Sequence, residues 1–188
     1  QDADIRIHRS DLILARVRNG HLCLRLIEVK FRSGTGSPAE EVALKEAIVI
    51  KNTDTQKVLV ARFVPQSESD RFDREIQNKQ FANLLQFYLD RCKRHGLIAP
   101  QTAQAEEMQS VIKAVTEGLF EVEFEKAGYI YNLQGTSKQP EHYKENRIFV
   151  VGNETIRELL DIPSDVEAPP VAGVPPELPS GEPLTILA

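Results

Sequence analysis

A two-residue turn near the amino terminus constrains the fold of this chain more than any other feature. The dipeptide Asn19-Gly20 separates two runs of strand-forming residues, and this pair is the strongest short-range indication of a β-hairpin. If Asn19 and Gly20 alone form the turn, Asp11 faces Glu28 on the neighbouring strand. The sequence therefore predicts an antiparallel hairpin with two carboxylates opposed at its open end, provided that no bulge shifts the register.

The apolar residues of the hairpin place these carboxylates at the end of a core-facing surface. Side chains alternate between the faces of a strand, so Asp11 shares a face with Ile13 and Val17, and Glu28 shares it with the three leucines before it. Opposed Cβ atoms lie about 4.5–5.5 Å apart, where like charges repel, and burial adds a desolvation cost. A divalent cation would remove both costs. Lys30 points to the same side as Glu28, so these residues are candidates for a metal-dependent site.

Asp11, followed by Glu28-Val29-Lys30 on the adjacent strand and then by a helical segment, resembles the core of the PD-(D/E)xK nuclease superfamily. A longer similarity covers most of the chain, through EVKFRS at 28–33, NKQ at 78–80 and FYL at 87–89. It resembles nuclease-like regions attached to HerA/FtsK-type ATPases in bacterial DNA-defence systems, including phosphorothioation-dependent restriction. The resemblance implies that Asp11, Glu28 and the Val29 carbonyl hold Mg²⁺, for which Mn²⁺ substitutes. It also implies that Lys30 orients the attacking water or helps to deprotonate it.

The chain departs from the superfamily pattern in three places. Ser10 stands where the motif has proline, and the chain begins too late to include the acid that usually lies on a preceding helix. Gln86 and Tyr88 are too close together for the Q-x-x-x-Y motif of the RecB-like branch. The resemblance therefore supports metal ligation by Asp11 and Glu28 better than it supports a substrate-binding role for any residue.

The net charge of −5 is unevenly distributed. From Asn153 onward there are seven acids and one base, which leaves the rest of the chain near +1, and residues 1–35 carry seven bases and four acids. Basic groups are thus concentrated around the predicted site, where DNA phosphates would need them. A solvated strand face explains Arg16, Arg18 and Arg25 equally well. The candidate nucleic-acid contacts are Arg9, Arg32, Lys79 and Gln80.

Length and composition favour a single globular domain. The chain has 188 residues, of which 41% are hydrophobic and 27% charged. Neither a signal peptide nor an apolar run of about 18 residues is present, so we expect a cytoplasmic protein without a membrane partner. Cys23, Cys92 and the four histidines lack metal-ligand spacing, and we expect both cysteines to be reduced. The start at Gln1 and the stop at Ala188 suggest a piece of a longer protein.

Hydrophobic periodicity predicts alternating helices and strands after the hairpin. One long helix is favoured at 38–63, although 52–56 could break it. Tyr129 and Tyr131 are candidates for stacking on bases, but cross-strand packing is the commoner use of such residues. The remaining predicted elements are helices at 76–95 and 103–118, strands at 120–124 and 129–133 paired back across Ala127-Gly128, a strand at 147–151, and a helix through Leu160 capped by Asn153.

The composition changes near the carboxyl terminus. Seven prolines with interspersed acids follow residue 162, a composition typical of an extended linker. We therefore predict a nuclease-like domain at 1–162 and a Pro-rich acidic linker at 163–188. By the resemblance, this linker leads to a downstream ATPase domain absent from this chain.

These observations predict an α/β domain with a small mixed central sheet flanked by helices and a restriction-endonuclease-like core. The predicted function is Mg²⁺-dependent hydrolysis of phosphodiester bonds in double-stranded DNA. The expected partners are an ATPase domain and other proteins of a defence complex. Two alternatives remain: an inactive nuclease fold that serves as an assembly or DNA-docking module, and an adaptor whose hairpin is only structural.

Overall fold

A computed structural model describes residues 9–34, 37–64 and 73–161 of the chain. Its first two strands, β1 (Leu12–Arg18) and β2 (His21–Arg32), form an antiparallel hairpin around Asn19 and Gly20. Both turn residues have left-handed backbone angles, with φ 52° for Asn19 and 79° for Gly20, as a type I′ turn requires. The pairs run from Arg18 with His21 to Leu12 with Ile27, so the predicted register is confirmed along β1.

Five strands form one mixed sheet in the order β1-β2-β3-β5-β4. The later strands are β3 (Val122–Asn132), β4 (Glu141–Tyr143) and β5 (Asn146–Gly152). The central strands β2, β3 and β5 are parallel, and the edge strands β1 and β4 are antiparallel to their neighbours. Together with the four helices of the described residues, the sheet confirms the predicted α/β class with a small mixed sheet.

Helix α1 (Pro38–Phe63) is continuous, which confirms the prediction of one long helix. It begins with a capping box in which Ser37 and Glu40 satisfy each other's backbone N–H groups. The polar residues in its middle do not break it, because Asn52 and Thr55 are buried and hydrogen-bonded rather than solvated.

The predicted second and third helices are also present. They are α2 (Arg74–Arg94) and α3 (Ala103–Glu117), and α3 ends at Gly118 in the left-handed conformation. The last described helix, α4 (Asn153–Leu159), differs slightly from its prediction. Gly152 is its N-cap residue and Asn153 is already helical without a side-chain capping hydrogen bond, so the predicted role of Asn153 is wrong.

The prediction of two strands paired back across Ala127-Gly128 is wrong. Both segments belong to the single strand β3, which lies between β2 and β5 and is buried at Ala127 and Gly128. Gly128 serves close packing rather than a turn, since a Cβ at this position would lie 2.6 Å from Cγ2 of Ile48 on α1. The short edge strand β4 was not predicted.

The core lies mainly on one face of the sheet. Helices α2 and α3 pack over Leu22 and Leu24, while Ile48 of α1 packs on Ile130 and Ile148. The predicted core face of the hairpin holds for β2 and for Val17 of β1, which packs against the core, but not for Ile13, which is 42% exposed.

Both cysteines are free, as predicted. Within the described part of the chain, no helix has the length and apolar character needed to cross a bilayer. The predicted linker at 163–188 lies outside the described residues.

Candidate active site

Glu28 is the centre of a charged cluster on β2. Its side chain is fully buried, yet its Oε1 atom lies 2.7 Å from Nζ of Lys30 and 2.6 Å from Nζ of Lys51. These approaches are ion pairs without the alignment of hydrogen bonds, and Oε2 has no hydrogen-bond partner within the described residues. We call Asp11, Glu28, Lys30 and Lys51 the carboxylate–lysine cluster.

Asp11 lies one residue before β1 and beside the backbone of β2. Its Oδ2 atom accepts a hydrogen bond from the Val29 N–H at 2.8 Å, and its Oδ1 atom lies 3.9 Å from Nζ of Lys51. Residues in an antiparallel ladder direct their N–H and C=O at the same neighbour. The Val29 carbonyl therefore points in the same direction as its N–H, toward Asp11. The structure thus brings Asp11, Glu28, Val29 and Lys30 together.

Lys51 reaches the cluster from α1 and was not predicted. The contact with Glu28 raises the pKa of Lys51, burial lowers it, and the charges of Glu28 and Asp11 raise it further. The net effect is a pKa above the ordinary lysine value, so Lys51 is an ammonium at neutral pH. The carboxylates of Asp11 and Glu28 therefore lie near two lysines, and the charged form of Lys51 is stabilised by this contact.

Close packing of α1 on the sheet positions Lys51. Gly128 pairs with Glu28 across β2 and β3, and the missing side chain at this glycine admits Ile48. Lys51 lies three residues further along α1, one turn from Ile48, and therefore reaches the same part of the sheet. Asn52 and Thr55 follow Ile48 at helical spacing and are buried with it, so polar residues on this side of α1 were the available sequence signal.

A buried hydrogen-bond network fixes the segment before Asp11. The Ser10 N–H donates to Thr55 Oγ1 and the Ser10 hydroxyl donates to Asn52 Oδ1, each at 2.7 Å. The Asn52 amide donates to Asn146 Oδ1 at 2.7 Å and to the Ala127 carbonyl at 3.0 Å. Ser10 is thereby tied to α1 and through it to β3 and β5.

The cluster contains oxygen atoms of the kind that Mg²⁺ prefers. The residues that could hold this ion are Asp11, Glu28, whose buried Oε2 atom has no hydrogen-bond partner among the described residues, and Val29 through its carbonyl. Across 9–34, 37–64 and 73–161, no group of three or more His, Cys, Asp or Glu side chains is placed to hold a metal. That result is compatible with Mg²⁺, which often takes only one or two protein carboxylates and completes its shell with water and substrate phosphates.

The four candidate DNA contacts do not form one surface. Arg9 is exposed and directly precedes the cluster, but the Arg32 side chain is only 11% exposed and lies 3.7 Å from Glu41 of α1. Lys79 and Gln80 are exposed on α2.

Helix α2 places Lys79 and Gln80 away from the cluster. Phe81, which follows them, packs against Phe120 at the end of the sheet where β3 begins. Glu28 lies toward the opposite end, where β2 and β3 finish. The structure therefore does not bring Lys79 and Gln80 together with Glu28.

A second ionic group lies at the start of α1. Glu41 contacts Lys138 at 2.6 Å and Lys45 at 2.9 Å. Hydrogen bonds from Lys138 and Lys45 lower the pKa of Glu41 to about 2, against the opposing effect of burial. Because Glu41 is fully paired with cations, it anchors α1 to the neighbouring loop rather than offering a further metal ligand.

Comparisons with protein-family models, curated proteins and solved structures found no significant match to this chain.

Proposed function

We propose that this protein is a metal-dependent DNA endonuclease module that hydrolyses phosphodiester bonds in a bacterial restriction or anti-phage defence system. The observation that carries the proposal is the fully buried Glu28 carboxylate on β2, beside Asp11, Lys30 and Lys51. Burying a charge is expensive, and purely structural strands have no need of one. The resemblance of these residues to the PD-(D/E)xK pattern gives the carboxylates their proposed role.

Each residue of the cluster has a distinct task in the proposed reaction. Asp11, Glu28 and the Val29 carbonyl would hold Mg²⁺, and the ion would supply activation of water and neutralisation of charge on the phosphodiester. Lys30 orients the attacking water from its position beside Glu28. Lys51, which stays protonated, provides positive charge where negative charge develops on phosphate oxygens.

The proposed reaction is a hydrolysis. The water oxygen forms a bond to phosphorus while one bridging P–O bond breaks. The water gives up a proton, and the departing sugar oxygen acquires one. Ser10 and Asn52 take no part in the chemistry and keep Asp11 in place through their hydrogen bonds.

Nicking of supercoiled plasmid tests this function. We expect the parent chain to nick plasmid in millimolar Mg²⁺ and not in EDTA, and Glu28→Gln and Asp11→Asn to abolish nicking. Asp54→Asn, a change in a carboxylate one turn beyond Lys51 on α1, is the matched control and should retain activity. If the parent is folded but never nicks, or if Glu28→Gln nicks as fast as the parent, the proposal is wrong.

One observation favours a second function. Lys30 and Lys51 both form ion pairs with Glu28, so two cations offset its buried charge. An inactive nuclease fold that serves as an assembly or DNA-docking domain of a HerA/FtsK-type ATPase would need only this ionic arrangement. Plasmid binding by the parent without nicking, unchanged in Glu28→Gln, would support this function instead.

A further inference from the structure

The sheet face opposite the carboxylate–lysine cluster carries a row of aromatic rings. Glu28 and Lys30 face α1, so the alternating residues Val29 and Phe31 face the other side. Strand pairing adds rings from β3 and β5 to the same face. We call the four rings the aromatic row: Phe31, Tyr131, Tyr129 and Phe149.

The rings of the aromatic row stack across three strands. Centroids lie 5.4 Å apart for Phe31 and Tyr131, 6.5 Å for Tyr131 and Tyr129, and 4.8 Å for Tyr129 and Phe149. Phe31 ends the row and is 72% exposed. Both hydrophobic clusters of the core take their strand residues from the other face. A large apolar ring so exposed at the end of an ordered row is a surface on which another flat group can stack.

A basic cleft adjoins the aromatic row at Phe149. The cleft has a volume of about 410 Å³, and its lining includes Arg18, Arg25, Arg147 and Phe149. Arg147 lies over the Phe149 ring, 5.1 Å from its centroid. Lys126 and His142 also line the cleft, and Lys126 is paired with Glu145.

The arginines of this face outnumber their carboxylate partner. Arg16, Arg18 and Arg25 all contact Glu125, with Arg18 at 2.9 Å and Arg25 at 2.8 Å. Burial raises the pKa of Glu125, but hydrogen bonds and charge from Arg25 and Arg16 lower it overall, so it remains an anion. One carboxylate cannot neutralise three guanidinium groups. The cleft lining has four basic side chains and two acidic ones, Glu125 and Glu145. The cleft is therefore positively charged and suited to anionic groups such as phosphates.

We propose that the basic cleft and the aromatic row together bind single-stranded nucleic acid. Phosphates contact Arg18, Arg25 and Arg147, and a base stacks on Phe31. The row connects the cleft at Phe149 to the exposed Phe31 ring at its other end. A positive groove combined with an aromatic ring open to stacking is what such strands recognise. A duplex keeps its base faces stacked within itself and cannot use Phe31, and an apolar protein partner would have to desolvate the arginines.

This site lies on the opposite face from Glu28 and goes beyond the proposed nuclease function. A strand held there would keep the protein on partly unwound DNA whether or not the cluster cleaves it. Binding and cleavage can therefore be tested separately.

Fluorescence anisotropy of a fluorescein-labelled 15-nucleotide oligo-dT tests the proposal, with the full chain in low salt and EDTA. We expect Phe31→Ala to weaken binding about fivefold or more, as loss of one stacked base does. Arg147→Gln should also weaken binding and reduce its salt dependence. Phe87→Ala, at an exposed ring on α2, and Arg94→Gln, at the end of α2, are matched controls that should bind like the parent.

Three results would overturn the proposal. The first is no binding of oligo-dT by the folded parent at low salt. The second is equal binding by Phe31→Ala and Phe87→Ala. The third is a 15-base-pair duplex that binds as tightly as oligo-dT and loses as much affinity in Phe31→Ala. Glu28→Gln should leave oligo-dT binding unchanged in EDTA, so a failure of the nuclease proposal is distinguishable from a failure of this one.

Discussion

Glu28 occupies a position where an apolar side chain would pack without electrostatic cost. The alternate residues before it on β2 are buried leucines, and its strand neighbour Gly128 is enclosed by Ile48 and Ile148. A carboxylate in these surroundings is tolerable only because Lys30 and Lys51 contact it. Removal of one lysine therefore has two effects, on the stability of the fold and on the charge that the site presents to a ligand.

Metal binding at Glu28 should be visible as thermal stabilisation. A ligand that binds only the native state stabilises it in proportion to the logarithm of its concentration above Kd. We expect Mg²⁺ or Mn²⁺ to raise the melting temperature of the parent, and Glu28→Gln to lose most of this response while Asp54→Asn keeps it. Calorimetry with and without a short DNA duplex measures the effect. A parent that shows no metal response even with duplex would contradict a metal role for the cluster.

Gly128 should be intolerant of even a methyl group. An alanine Cβ there would meet Ile48 at 2.6 and 2.8 Å and Ile148 at 3.0 Å, so α1 or the isoleucine must move. We expect Gly128→Ala to lower the free energy of unfolding by about 1–3 kcal/mol, as overpacking does. Urea unfolding measures this loss.

The double variant Gly128→Ala with Ile48→Ala separates overpacking from other effects of alanine at this position. Removing the clashing atoms of Ile48 should make the added methyl at 128 nearly neutral relative to Ile48→Ala alone. If alanine at 128 costs the same free energy with and without Ile48, close packing is not the reason for this glycine.

At the scale of elements, local signals in the sequence were sufficient for the hairpin and the three longer helices. Asn19-Gly20 determines the turn type, and Gly118 ends α3 at a position where a left-handed residue is needed. The prediction for β3 was wrong because Ala127-Gly128 has residue types typical of a turn. Gly128 instead allows close contact with Ile48, a residue eighty positions away in the sequence. Such a contact has no local sequence signature.

The candidate site, like the secondary structure, was predictable only where it depends on residues close together in the sequence. Asp11, Glu28, Val29 and Lys30 follow from the register of one hairpin, which depends on neighbouring residues alone. Lys51 and the link from Asn52 to Asn146 depend on how α1 lies across β3 and β5. The sequence contains these residues but not the tertiary geometry that brings them to the cluster.

The attachment of α1 should weaken in acid. Pairing with Lys138 and Lys45 lowers the pKa of Glu41 to about 2 from an ordinary 4.5, so the charged form is favoured in the folded state. This stabilisation is complete above about pH 4.5 and is lost as the pH falls toward 2. We expect Glu41→Gln to lower the free energy of unfolding by about 1–3 kcal/mol at pH 7 and by progressively less below pH 4.5.

Urea unfolding at a series of pH values measures the effect of Glu41→Gln. Glu40 is unsuitable as a control because it belongs to the capping box, so exposed Glu106→Gln on α3 serves instead. A difference between parent and Glu41→Gln that stays constant from pH 7 to pH 3 would contradict the ionic role of Glu41.

At the scale of the whole molecule, the segment 163–188 should be dispensable for folding. Deleting it should change stability by less than about 1 kcal/mol, because a Pro-rich acidic composition cannot build a core. The deletion should also strengthen nonspecific DNA binding at low salt, since it removes four acids and no bases from the chain. The acids are Asp165, Glu167, Glu177 and Glu182.

Salt titration of DNA binding by both chains, together with their melting temperatures, decides whether 163–188 is a linker. The two affinities should converge as salt rises and screens the charge difference. Unfolding or weaker DNA binding after deletion would place the segment within the domain and move the predicted boundary.

The parallel pairing of β2 with β3 dictates when Glu28 becomes enclosed. The hairpin is local, but α1, α2 and α3 lie between its end at Arg32 and the start of β3 at Val122. Closing so long a crossover loses chain entropy before the strand pairing compensates for it, which makes this step slow. In pulse-labelled hydrogen exchange during refolding, the β2 amides facing β3 should gain protection together with those of β3, and earlier protection would contradict this order. If the amides follow the expected order, the hairpin forms before β3 encloses Glu28. The carboxylate–lysine cluster would then be completed late in folding.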